Sequence, residues 1–290
     1  MNIKEITRGY RVMKMHGSGN DFVVLPDLEE RLSATQVQKI CKRSYGVGSD
    51  GLIAVCKSRT PEADIRMKFF NPDGTTAEMC GNGIRCFTKY LADNKFVTEN
   101  QKIAVDTDAG ILYPEIIAND SHQAQIKVNM GIPQLENKAQ CIESLSSEKK
   151  YIESTINGQT FIYVGMGNPH AICFSKTPKE DAASTGSTIE YHATYPQKTN
   201  VEFAKVLNRQ EVEMHVWERG AGLTLACGTG ACATFVAAFL TNQVDHSAVI
   251  KLPGGNLTIA WEGIGKPIFM TGDAVNVFEI NPVSLDQYLS

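Results

Sequence analysis

Two cysteines stand in settings that ordinary core cysteines lack. Cys80 opens the run Cys80-Gly-Asn-Gly83, and Cys227 opens Cys227-Gly-Thr-Gly230. Each directly precedes helical periodicity. After Cys80, Ile84, Phe87, Thr88 and Leu91 share one face; after Cys227, residues 231–240 are apolar nearly all round, as in a helix buried on every side. A cysteine at a helix N-terminus meets unpaired N–H groups and the positive end of the helix dipole, both of which favour its thiolate. The glycines let a ligand approach the backbone, so the same turn suits a carboxylate or a phosphate. The chemistry implied is acid/base work by two thiols, each beside an anion-holding turn. For Cys41, Cys56, Cys86, Cys141, Cys173 and Cys232 the reading is a small buried hydrophobe.

The two turns are related. Gly17-Ser-Gly-Asn20 recurs as Gly165-Met-Gly-Asn168, and Cys80–Gly83 recurs as Cys227–Gly230, 148 and 147 residues further on. Asn71 and Glu218 each lie nine positions ahead of their cysteine. Two motif pairs in one order at nearly one spacing point to a duplicated fold. Duplication carries both cysteines to equivalent positions, from which a symmetric pair can address one atom from opposite sides.

The elements that must hold these turns are mostly strands. Ile65, Met67 and Phe69 alternate with Arg66 and Lys68, the period of a half-buried strand. Residues 22–25, 51–55, 126–128, 161–164, 212–217, 248–252, 257–261 and 275–280 read as strands too. Pro253-Gly-Gly-Asn256 predicts a hairpin between two of them. Ser33-Ala-Thr-Gln36 is a capping box, followed by Val37, Ile40, Cys41 and Ser44 on one helical face, with Gly46 as the stop. The stretch 136–150 is polar, and 177–188 reads as a surface loop or short helix.

Composition narrows the class. The chain has 290 residues, a prior of about two domains. Lys and Arg number 28 against 32 Asp and Glu, a formal charge of −4, which gives no reason to expect nucleic acid or an anionic membrane. The start, MNIKEITRGYRVMKMHG, has no secretory pattern, no Cys-x-x-Cys occurs, and the longest apolar stretch is half what a membrane span needs. The expectation is a reduced, cytoplasmic, soluble protein with no metal site. There is no GxxxxGK[ST] and no dinucleotide GxGxxG.

Further stretches join the cysteine turns: Met15-His-Gly-Ser-Gly-Asn-Asp-Phe22, Phe70-Asn-Pro-Asp-Gly74, Glu78 to Cys86, Gly167-Asn-Pro-His170, Thr199-Asn-Val-Glu-Phe203, Glu218-Arg-Gly-Ala-Gly222 and Thr224 to Ala233. In these the chain resembles the diaminopimelate epimerases, in order and across most of its length. The resemblance implies an isomerase interconverting LL- and meso-diaminopimelate without pyridoxal phosphate or other cofactor, in lysine and cell-wall precursor biosynthesis. It implies an α/β (α+β) fold of two pseudo-symmetric halves, each a curved mixed β-sheet wrapped around a central helix, with the active site in the cleft between them. Those halves are placed at 1–127, with a returning C-terminal strand at 275–290, and at 128–274. The expected partner is the small-molecule substrate, with no nucleic acid and no membrane, and a homodimer as the open option.

Matched to the family motifs, Cys80 and Cys227 are the catalytic acid and base. The N–H groups of Gly81-Asn82 and Gly228-Thr229 hold the α-carboxylate where charge develops. Arg219 suits the distal carboxylate, and Glu218 the ammonium. Asn20, Asn71, Asn168 and Asn200 suit a zwitterion, while His170 and Glu218 support catalysis. His16, His122, His192, His215 and His246 are read as structural or surface residues. One departure stands out: some family members carry glutamine where this chain has Gly51, so no side-chain contact is carried over there. Three other readings stay open: a proline- or hydroxyproline-type epimerase, a thiol–disulfide redox protein, which the missing Cys-x-x-Cys disfavours, and a non-catalytic anion-binding protein.

Overall fold

The computed structural model describes residues 10–97, 103–136, 141, 151–281 and 285. Of the polar stretch 136–150, only Glu136 and Cys141 fall among them. The chain divides into two compact units, Met1–Val128 with Gly272–Ser290, and Asn129–Thr271.

In the first unit, β1 (Val12–Gly17) and β2 (Asn20–Pro26) form a hairpin. Its turn, Ser18-Gly19, has φ of 52° and 80°, the left-handed pair that a two-residue hairpin loop requires. α1 (Ala34–Cys41) crosses over to β3 (Gly51–Cys56), which lies parallel to β2. β4 (Ile65–Phe70) is antiparallel to β3, and the short β5 (Thr76–Ala77) is antiparallel to β4. α2 (Gly81–Asp93) then leads to β6 (Val105–Thr107), parallel to β4, and to β7 (Gly110–Leu112), antiparallel to β6. β8 (Glu115–Asn119) and β9 (Gln123–Asn129) make a further hairpin.

The second unit opens with β10 (Glu153–Ile156), β11 (Gln159–Gly165) and β12 (Pro169–Phe174), an antiparallel meander. α3 (Pro178–Glu190) crosses over to β13 (Asn200–Asn208), parallel to β12. β14 (Glu211–Glu218) and β15 (Gly222–Thr224) follow, each antiparallel to its predecessor. α4 (Gly228–Leu240) leads to β16 (Ser247–Leu252), parallel to β14, and to β17 (Gly255–Trp261), antiparallel to β16. β18 (Ile268–Ile280) begins antiparallel to β17; its later residues belong to the first unit, where Val275–Ile280 pair with β1.

The pairing scheme from β1 to β7 therefore repeats from β11 to β17, helix for helix, so the duplication read from the motifs is present in the topology. Within each unit one sheet curves around one helix. α2 packs against β1, β2, β3, β4 and β8, and α4 against β11, β12, β13, β14, β16 and β17. The outer sheet faces are covered by α1, through Val37, Ile40 and Cys41, and by α3, through Ala182 and Ile189. β3 is buried along its whole length, which explains its uninterrupted apolar run Leu52-Ile-Ala-Val-Cys56.

The capping box at Ser33 and Gln36 and the turn joining β16 to β17 form as expected. Two expectations change. α1 ends at Cys41 rather than near Gly46, and Ser44, expected on its apolar face, is exposed with φ 69°. The segment expected as a loop or short helix is the thirteen-residue α3. Its buried face is made of small residues, Ala182 and Gly186 with Ile189, and so carries little apolar contrast.

Candidate active site

Each cysteine is the N-cap of the helix its sheet surrounds. Cys80 has φ −134° and ψ 117°, and its Sγ accepts from the Gly83 N–H at 3.3 Å. Cys227 has φ −131° and ψ 111°, and its Sγ accepts from the Gly230 N–H at 3.4 Å. Caps are ordinarily oxygens of Ser, Thr, Asp or Asn. Sulfur in that place puts a titratable group against the helix N-terminus, where negative charge is favoured.

Around Cys80, the first unit gathers Asn20, Asn82 and Gly81. Asn20 Oδ1 accepts from Asn82 Nδ2 at 3.2 Å and lies 3.9 Å from Cys80 Sγ, which donates to it. The Asn20 amide is oriented from its other end, where Nδ2 donates to Asp50 Oδ2 at 2.9 Å. Asp50 is held in turn by Arg43 at 2.7 Å. Asn82 Oδ1 is buried without a hydrogen-bond partner. Asn71 is tied into a turn, donating from Nδ2 to Thr75 Oγ1 at 2.9 Å.

Arg85, on the first turns of α2 and fully buried, locks this arrangement. Its guanidinium donates to Asp273 O at 2.8 Å, to Gly81 O at 3.1 Å and to Ser18 Oγ at 3.1 Å. One side chain thus binds the turn before Asn20 to the turn that carries Cys80.

Around Cys227, the second unit gathers Thr229, Asn168, His170, Glu218 and Glu202. Thr229 Oγ1 lies 3.5 Å from Cys227 Sγ and accepts from Asn168 Nδ2 at 3.4 Å. Asn168 Oδ1 is 2.9 Å from His170 Nε2, and His170 Nδ1 is 2.7 Å from Glu202 Oε1. Glu218 accepts from the Thr224 hydroxyl. Asn200 supports the backbone, donating to Pro169 O and accepting from Arg219 N, both at 2.9 Å. The Arg219 guanidinium donates to Gln197 O at 3.1 Å. Burial pushes the Cys227 thiol well above its ordinary range, and the Glu218 and Glu202 charges push it further; Thr229 and the Gly230 N–H oppose this. Burial likewise raises Glu218, against the Thr224 hydroxyl. Cys227 is therefore a thiol at neutral pH.

Three site residues have no role assigned from sequence. Glu202, inside Thr199–Phe203, and Arg85, inside Glu78–Cys86, are fully buried charges, whereas a charged residue is ordinarily read as surface. Glu190, at 2 % exposure, accepts from Trp217 Nε1 at 2.8 Å and Gly220 N at 2.9 Å, anchoring the turn that carries Glu218 and Arg219. The Gly51 departure has a steric reason: a Cβ there would lie 2.8 Å from Phe70 O and 2.9 Å from the Phe69 ring. Among the described residues, no group of three His, Cys, Asp or Glu side chains is placed to hold a metal ion.

The sequence profile of the family described as diaminopimelate epimerase matches residues 12–136 and 162–277. The chain belongs to the diaminopimelate epimerase family. A diaminopimelate epimerase of Moorella thermoacetica is 42% identical over 272 residues, covering 92% of this chain and 96% of that protein. One from Desulforapulum autotrophicum is 44% identical over 274 residues, covering 91% and 96%. In fold, a hydroxyproline epimerase from Agrobacterium vitis with bound trans-4-hydroxy-L-proline superposes with a TM-score of 0.66 at 13% identity, covering 93% of this chain and 90% of that one. As a member of the diaminopimelate epimerase family the chain is an isomerase, an epimerase that works on a small molecule without pyridoxal phosphate. Among the described residues no helix is long and apolar enough to cross a membrane.

Proposed function

We propose that this enzyme interconverts LL- and meso-diaminopimelate by two-thiol proton transfer at the α-carbon, in the supply of lysine and cell-wall precursor. The observation that carries the reading is the matched pair of cysteine N-caps, alike in φ, ψ and sulfur hydrogen bond, one at the central helix of each duplicated unit. We take those units to be the two epimerase halves, Cys80 and Cys227 acting on one carbon from opposite faces. The Cys80 thiolate takes the α-proton, the electron pair remains on carbon, and Cys227 S–H delivers a proton to the other face; the reverse direction exchanges the roles. The raised thiol of Cys227 supports its assignment as the resting acid.

The carbanion is met by fixed dipoles. The N–H groups of Gly81-Asn82 and Gly228-Thr229 hold the α-carboxylate at two helix N-termini. Asn20, Asn71, Asn168 and Asn200 surround the zwitterion, Arg219 takes the distal carboxylate, and Glu218 the ammonium. A substrate with two amino-acid ends gives these groups work that proline would leave undone.

The test is α-proton exchange in deuterated water with diaminopimelate, under reducing conditions and without added cofactor. The wild type exchanges, while Cys80→Ala and Cys227→Ala lose net epimerisation and stay folded. No exchange in the wild type, or exchange with proline instead, removes the reading.

A further inference from the structure

The two cysteine sites share a frame but not a floor. In the parallel pair β2–β3, Phe22 lies opposite Gly51 and Val24 opposite Ile53; in β12–β13, His170 lies opposite Asn200 and Ile172 opposite Glu202. Ile53 and Glu202 are therefore equivalent, as are Phe22 and His170. Each floor residue meets the glycine three places after its cysteine. A Cβ on Gly83 would sit 3.4 Å from Ile53 Cδ1, and one on Gly230 would sit 2.6 Å from Glu202 Oε1. Where the first unit has an apolar floor, the second has a buried acid and a buried imidazole, both at 0 % exposure.

His170 Nδ1 faces Glu202 Oε1 at 2.7 Å and Nε2 faces Asn168 Oδ1 at 2.9 Å, so both ring nitrogens point at oxygen acceptors. With the Asn168 amide turned so that Oδ1 meets Nε2 and Nδ2 meets Thr229, two acceptors call for two ring protons, or for a protonated acid beside a singly protonated ring. The first is favoured because Glu202 Oε1 lies against the N-terminal turn of α4, where negative charge is stabilised. The short bond to Nδ1 has charge-assisted length. From the imidazolium, donors line up toward the sulfur: Nε2–H to Asn168 Oδ1, Asn168 Nδ2–H to Thr229 Oγ1, and Thr229 O–H to Cys227 Sγ.

We propose that Glu202 is a positioning residue that keeps His170 as an imidazolium, and that this buried ion pair polarises the Asn168–Thr229 chain to receive the negative charge formed on Cys227 when its proton passes to carbon. This rests on the two-thiol reading above. In the step, the Cys227 S–H bond breaks, a C–H bond forms, and the electron pair left on sulfur accepts the Thr229 hydroxyl; no further proton moves. Glu202 Oε2 is buried without a partner.

The experiment uses the full-length enzyme. ¹⁵N–¹H spectra of the wild type at neutral pH should show protons on both His170 ring nitrogens, and Glu202→Gln should leave one. With diaminopimelate, Glu202→Gln keeps an acceptor toward Nδ1–H but loses the charge, so kcat should fall about 10- to 100-fold, one to two units of thiol acidity, with KM little changed. Glu202→Ile, which copies the floor beneath Cys80, should fall further. A single ring proton in the wild type, or wild-type kcat in Glu202→Gln, overturns the proposal. Wild-type protein that turns over no diaminopimelate yet shows both ring protons would fault the two-thiol reading and leave the ion pair standing.

Discussion

Replacing Arg85 by methionine tests whether one buried cation builds the Cys80 site. The guanidinium is fully buried and donates to Asp273 O, Gly81 O and Ser18 Oγ, with Asp273 Oδ1 a further 3.9 Å away. Charged hydrogen bonds contribute about 1.5–3 kcal/mol each. A methionine side chain would fill much of the same volume and would escape the desolvation penalty of a buried charge, so the net loss should fall below the simple total, at about 3 kcal/mol. Both tryptophans, Trp217 and Trp261, lie in the second unit, so their fluorescence does not report on this loss. Hydrogen exchange of the α2 amides in increasing urea does. Protection of α2 should drop by about 3 kcal/mol, roughly two orders of magnitude in exchange rate, while the tryptophan transition serves as the internal control. Turnover should fall as well, because the Ser18–Gly19 turn that places Asn20 beside Cys80 loses its tie to Gly81. Unchanged α2 protection together with unchanged turnover would refute the reasoning.

Two further outcomes follow from the same geometry. Asp21 is partly buried, which opposes its charge, yet bonds with Lys14, Asp50 and Arg43 bring its pKa down to about 2. A folded value below the unfolded one, near 3.9, means that its stabilisation is present above about pH 4 and is lost as pH falls through about 2. Discounted for solvent screening this is about 1 kcal/mol, so Asp21→Asn should flatten the acid limb of stability, and equal acid limbs in urea unfolding would count against it. Gly51→Gln should cost about 1–3 kcal/mol through contact with Phe70 O and the Phe69 ring. Phe69→Ala should return part of that loss, and strict additivity in a double-mutant cycle would rule out the clash.

How far the sequence discloses this molecule depends on how local each interaction is. The Ser33 capping box, the Pro253-Gly254 turn and the two cysteine N-caps are complete within four or five residues, and the structure has all of them. α3 is hidden because Ala182 and Gly186 on its buried face look no more apolar than the residues around them. Arg85 is hidden for a different reason: its partner Asp273 is 188 positions away. Glu202 and Glu190 share that difficulty, since their partners come from other strands and turns, and a glutamate in a strand pattern reads as the solvent face. The glycine repeat is legible as motif but not as geometry. Gly17–Asn20 closes on a two-residue turn, whereas Gly165 pairs with Pro169 and leaves Asn168 in the loop, free to bridge His170 and Thr229.

That last difference bears on why a duplicated frame suits an epimerase. Taking a proton on one face and returning one on the other needs two groups alike in geometry but unlike in protonation at any instant. Gene duplication supplies the likeness, and here it extends to the φ, ψ and sulfur hydrogen bond of each cap. In the proposed two-thiol scheme, two identical surroundings would leave the proton that the thiols share with no preferred owner. Substituting His170 and Glu202 for Phe22 and Ile53 breaks that equality from below, without moving either sulfur from its cap. The change asks little of the backbone, because Gly230 already lacks the Cβ that Glu202 would strike. Under the proposed mechanism, burial keeps Cys227 as the acid at rest, and the polar floor, through the donor chain ending at Thr229, stabilises the anion it becomes once its proton has passed to carbon.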